Sequence, residues 1–78
     1  MSQDTIYRKG VYMDGKAVGQ KLIDLRGNKP REQVASDLGI SLSALAMYER
    51  GERIPRDEIK IKIADYFNKS VQEIFFTQ

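Results

Sequence analysis

Arg31-Glu32-Gln33-Val34-Ala35-Ser36-Asp37-Leu38-Gly39-Ile40-Ser41-Leu42-Ser43-Ala44-Leu45-Ala46-Met47-Tyr48 is the stretch whose spacing decides the fold. Val34 and Leu38, four apart, mark one face of a first helix, and Ala35 beside them is small enough to let another helix cross closely. Gly39 stands where that helix ends, in a left-handed backbone that a side chain would strain. Ile40 anchors the turn to the core. Ser41 suits the N-cap of a second helix whose Leu45 and Tyr48 point inward. The pattern is two helices joined by a turn of three to four residues.

Further helices flank this pair. The spacing predicts a helix over about residues 17–26, with Val18, Leu22 and Leu25 on one stripe and Gly27 closing it. Pro30 starts the next helix, where its missing N–H costs nothing. The second helix of the pair runs over about 42–50 and stops at Gly51. Ile54-Pro55 leads into a fourth helix, with Asp57 and Glu58 in its first turn and Ile59, Ile63, Ala64 and Phe67 as its inward stripe. Asn68 ends it. Ser70 caps a last helical turn through Val71 and Ile74, and Glu73 three residues later completes a capping box.

The expected fold is all-α: a compact five-helix bundle over residues 17–78, preceded by an extended arm over residues 1–16. The arm carries Ile6, Tyr7, Val11, Tyr12 and Met13, which have strand propensity. Asp14-Gly15 after it reads either as the turn of a small hairpin or as a helix cap.

Composition narrows the function. Seventy-eight residues make one domain, whose core is small enough that a dimer interface or a bound ligand would add useful stability. The chain has neither cysteine nor histidine, which removes disulfides, thiolate nucleophiles and most metal sites. Neither a strand-to-helix phosphate loop nor a set of converging catalytic groups is legible, so an enzyme is not expected. No cofactor, metal or small-molecule substrate is expected either. An apolar run of membrane-spanning length and a signal-peptide pattern are both missing, which fits a cytoplasmic protein with no membrane partner. The net charge of +2 favours an anionic partner only mildly.

From Val18 to Phe75 the chain resembles the lambda-repressor-like, Cro/Xre-type helix-turn-helix domain. The residues that carry the resemblance are Val18-Gly19, Leu22, Leu25-Arg26, Val34-Ala35, Leu38-Gly39-Ile40-Ser41 and Leu45. To these are added Tyr48-Glu49-Arg50-Gly51-Glu52-Arg53 with Pro55, then Ile63-Ala64, Ser70 and Glu73-Ile74-Phe75. The resemblance implies a five-helix bundle whose third helix enters a DNA major groove, acting as a homodimer on a near-palindromic operator. Phage, mobile-element and bacterial repressors are its common members. Pro30-Arg31 replaces the usual Thr-Gln at the start of the second helix, and the link before it is about two residues short. In the fourth helix Asp57 and Lys60 stand where apolar residues are common, and Ile59 and Ile61 where polar ones are. Either that helix is rotated, or Ile61 is exposed for a partner.

By resemblance, Leu42, Ser43, Ala44 and Met47 take the positions that read bases. Ser43 alone among them offers a hydrogen-bonding side chain, and the apolar ones suit thymine methyls. Arg31, Ser41, Arg50 and Arg53 are the expected phosphate contacts. The resemblance also implies an ion pair between Arg26 and Glu49 that fixes the third helix against the first. Arg8 and Lys9 read as a solvated strand tip or a basic arm, and Tyr7 and Tyr12 as packing residues. Phe75, Phe76 and Ile61 are the apolar candidates for a dimer interface, since two adjacent phenylalanines cannot both enter one small core, and the N-terminal arm is the alternative. The competing reading is an interaction module, such as an antitoxin, antirepressor or adaptor, whose apolar third helix docks on protein.

Overall fold

Asp14 resolves the first open question by capping a helix: its Oδ1 accepts from the Ala17 amide at 2.8 Å. The structure, a computed structural model, describes residues 13–76. Among the described residues five helices follow in order: α1 Gly15–Arg26, α2 Arg31–Leu38, α3 Leu42–Arg50, α4 Asp57–Phe67 and α5 Val71–Phe75. The first begins two residues earlier than periodicity alone indicated, because the cap lies at Asp14. The Met13 amide donates to the Phe75 carbonyl at 2.9 Å, tying the entry of α1 to the end of α5. The expected arm, with Tyr7, Arg8, Lys9 and Tyr12, lies outside the described residues.

Local signals set the remaining ends. Gly39, Gly51 and Asn68 close α2, α3 and α4 in the left-handed conformation. Ser70 and Glu73 form the reciprocal capping box on α5. Pro30 departs from expectation: it occupies the N-cap of α2 rather than its first turn, with φ −62° and ψ 145°. A proline cannot cap with its side chain, so α2 starts without a side-chain acceptor for its first amides.

One core joins the helices. Val18 and Leu22 of α1 meet Val34, Ala35 and Leu38 of α2, Leu45 and Tyr48 of α3, Ile63 and Ala64 of α4, and Ile74 and Phe75 of α5. Helix α1 packs most extensively on α3. Gly19 makes that approach possible: a Cβ there would lie 2.3 Å from the Glu49 carbonyl oxygen.

Packing decides two points that helical spacing left open. Helix α4 is not rotated to bury both isoleucines: Lys60, 4% exposed, shares the buried face with Ile63 and Ala64, Ile59 and Phe67 pack partly buried against it, and Ile61 is left 55% exposed. The lysine's methylenes cover apolar neighbours while its ammonium reaches Asp57 Oδ1 at 3.2 Å and lies 6.0 Å from the Phe75 ring centroid. Phe75 is fully buried and so is no surface for a partner, whereas Phe76 beside it is half-buried. The last turn of α5 sends one ring into the core, which has no space left for its neighbour.

Candidate nucleic-acid interface

The turn between α2 and α3 is held from both sides. Gly39 at φ 71° and ψ 31° lets its own amide reach Ser36 and the Ile40 amide reach Ala35, at 3.1 and 3.0 Å. Ile40 packs against the core, and Lys62 of α4 donates its ammonium to the Leu38 carbonyl at 3.3 Å. A cation at the last carbonyls of a helix also suits the negative end of its dipole. Ser41 then caps α3, its Oγ accepting from the Ala44 amide at 3.0 Å. The hydroxyl proton of Ser41 remains available to a phosphate oxygen, and the residue is exposed.

Helix α3 is anchored by Leu45, Tyr48 and Glu49, which are buried. Of the expected base-reading residues, Leu42 and Ser43 are exposed at its first turn. Met47 is half-buried one turn further on, and Ala44 is half-buried because it packs against the core. Among the residues expected to read bases, the exposed surface is therefore concentrated on Leu42, Ser43 and the outer part of Met47, with Ala44 at its edge.

The cations differ in what they already hold. Arg50 grips Glu52 by two bonds of 2.9 Å on the surface, so a phosphate would have to compete with a carboxylate for it. That grip holds the Glu52 carboxyl below its ordinary range, chiefly through the hydrogen bond from Arg50. Arg53 is exposed in the loop after α3. Arg31, at the uncapped N-terminus of α2, is half-exposed and donates Nε to Glu49 Oε1 at 2.8 Å.

Arg26 and Glu49 do meet. Arg26 donates Nε to Oε2 at 2.7 Å and Nη2 to Oε1 at 3.2 Å, and its Nη1 goes to the Lys29 carbonyl at 2.9 Å. The Glu49 side chain is 2% exposed and that of Arg26 17%. The pair thus pins the end of α1 to α3, and Arg31 brings the start of α2 to the same carboxylate.

Sequence reasoning did not find the Arg31–Glu49 contact, because nothing in the spacing of residues 18 apart says which side chains converge. It also missed a polar clasp behind the turn. The Tyr66 hydroxyl donates to Asp37 Oδ2 at 2.6 Å and accepts from Lys29 Nζ at 3.0 Å, and Gln33 donates to Asp37 Oδ1 at 2.9 Å. The Tyr66 hydrogen bond is the main cause that lowers the Asp37 carboxyl and raises the Lys29 ammonium from their ordinary values. Only the Gln33–Asp37 part carried a sequence signal, as a helical pair four apart.

Residues 21–74 match the helix-turn-helix family. Over 47 residues the chain is 43% identical to the cryptic phage CTXphi transcriptional repressor RstR of Vibrio cholerae serotype O1 (strain ATCC 39315 / El Tor Inaba N16961). That match takes in 60% of this chain, which spans 42% of the length of that relative. The fold is similar to that of the restriction-modification controller protein C.AhdI from Aeromonas hydrophila, with a TM-score of 0.71 at 28% identity. The similarity covers 80% of this chain and 93% of that one.

Proposed function

The chain belongs to the helix-turn-helix family, of the Cro/Xre type, and on that premise we propose that it is a sequence-specific regulator of transcription that binds double-stranded DNA. In this reading it is a repressor of phage or mobile-element type, acting in the cytoplasm. The observation that carries the reading is the exposed first turn of α3, capped by Ser41 and held by Ile40 and the core, on a helix whose other end meets Arg31 through Glu49 and is followed by the exposed Arg53. A helix held in this way enters a major groove with its N-terminal residues toward the base edges.

Arg31 and Arg53 position the protein on the phosphates, with Ser41 beside them and Arg50 after release from Glu52. Ser43, Leu42 and Met47 specify, one by a hydrogen bond and the others by contact with thymine methyls. Selection of bound duplexes from a random pool, followed by titration at several salt concentrations, tests this. The selected duplex is expected to bind on the order of 10³-fold more tightly than the pool average. Arg53→Ala is expected to weaken all sequences alike and to lower the salt slope by about 1, whereas Met47→Ala or Ser43→Ala changes preference at one or two base pairs.

One small helix reads few base pairs, so two copies are proposed to bind half-sites about one turn, roughly 34 Å, apart. With Phe75 buried, the dimer candidates among the described residues are Ile61, 55% exposed, and Phe76 next to Val71 at the cleft between α4 and α5, with the N-terminal arm as the alternative. Light scattering on the complex checks it. A mass of two chains per duplex is expected, and one chain on a non-palindromic site rejects it.

A second reading draws on the apolar outer face itself. Leu42 at the start of α3 and Ile54 in the loop after it are exposed large apolar residues of a kind that also suits a protein partner. Equal affinity for every duplex at every salt concentration would favour that interaction module.

A further inference from the structure

Two guanidinium groups converge on the buried Glu49 carboxylate, and they divide their donors differently. Arg26 uses Nε and Nη2 on Glu49 and Nη1 on the Lys29 carbonyl, so all three of its nitrogens are engaged and its side chain is largely covered. Arg31 spends only Nε, on Oε1, and its side chain is 48% exposed. Its Nη1–Nη2 edge makes no bond to the described residues. Two cations around one anion also leave the cluster at +1, with the excess at its exposed end.

From this division we infer that Glu49 is a positioning residue for DNA binding. It holds the Arg31 guanidinium by Nε so that the Nη1–Nη2 edge is presented to a backbone phosphate at the start of α2. The inference rests on the DNA-binding reading above and names a residue of that site which never touches DNA. A guanidinium has two edges, each able to hold an oxyanion with two parallel bonds, so one arginine can serve a carboxylate and a phosphate together. A long free side chain loses rotamer freedom when it binds, and a side chain already held in place has less to lose. Arg31 is also the first residue of α2, whose N-terminal amides Pro30 leaves without a side-chain cap. Arg26 is then the structural partner and Arg31 the functional one.

The test is a titration of a selected duplex between 50 and 200 mM salt, roughly the range over which phosphate contacts are resolved. The wild type, Arg31→Ala, Arg31→Lys, Glu49→Gln and the Arg31→Ala/Glu49→Gln pair are compared, with thermal melts in parallel. Arg31→Ala is expected to lower affinity about 10-fold and the salt slope by about 1. Glu49→Gln should lower affinity on the order of 5-fold in the wild type, yet by less than about 2-fold once Arg31 is alanine. Arg31→Lys should melt like the wild type and still bind on the order of 5-fold more weakly, because one ammonium lacks the second edge.

The same loss from Glu49→Gln in both backgrounds would overturn the inference, since Glu49 would then act through the fold alone. Wild-type affinity for Arg31→Lys would overturn it too, and that variant decides alone if Glu49→Gln is unfolded at the assay temperature. Duplex binding by the wild type that Arg31→Ala leaves intact rejects the inference and keeps the DNA reading. Absence of salt-dependent binding by the wild type rejects both.

Discussion

Glu49→Ala is expected to cost the fold about 3–5 kcal/mol, read from urea or thermal unfolding. The carboxylate is 2% exposed, and its removal leaves the 17%-exposed Arg26 side chain without its counter-charge and beside a second cation, Arg31. A pair of this kind adds little net stability compared with a well-packed apolar pair, because both charges lose water. Breaking it is another matter, since the remaining charge is neither solvated nor paired. Arg26→Ala should cost less than Glu49→Ala, because Arg31 still faces the carboxylate at 2.8 Å. Arg31→Ala, removing a half-exposed partner, should cost only about 0–1 kcal/mol. That ordering is the measurable signature of the three-residue cluster. A double-mutant cycle with near-zero coupling between Arg26→Ala and Glu49→Ala would refute it.

Gly19→Ala is expected to lower stability by about 3 kcal/mol or more, against the sign that helix propensity gives. In a free helix, alanine is better than glycine by about 1 kcal/mol. Here the added Cβ would lie 2.3 Å from the Glu49 carbonyl oxygen, 2.8 Å from the carbonyl carbon and 2.9 Å from the Tyr48 carbonyl oxygen. These are backbone atoms, so no rotamer change relieves the overlap. Helix α1 has to withdraw from α3, which loosens both the core and the Arg26–Glu49 bonds that depend on the same approach. For a domain of this size the melting temperature should fall by about 12–24 °C. An unchanged or raised melting temperature would mean that α1 and α3 are not in backbone contact. The same variant should weaken duplex binding more than its stability loss explains, since α3 is the helix that is displaced.

Helix ends and the turn were legible in the chain because their causes are local. Ser41 reaches an amide three residues on, Ser70 and Glu73 exchange bonds across three residues, and Gly39, Gly51 and Asn68 relieve a strain within single residues. Interactions of that range are written in the order of the residues themselves. The inward positions of Leu45 and Tyr48 follow from helical spacing in the same way. The Arg26–Glu49 pair was legible only through resemblance, as no spacing rule joins residues 23 apart.

Amino-acid order by itself thus determined which segments are helical, where they stop, and which face of α3 turns away from the core. The tertiary structure decided what depends on how the helices meet. It placed Gly19 against the Glu49 backbone, buried Lys60 while exposing Ile61, and chose Phe75 over Phe76 for the core. It also brought Arg31 to Glu49, which the chain read alone had assigned to phosphate without a partner. The physical reason is that a helix's own hydrogen bonds leave its rotation and its distance from a neighbour free. Close packing of the whole core fixes both, and a rotation of one residue's width is enough to exchange a lysine for an isoleucine.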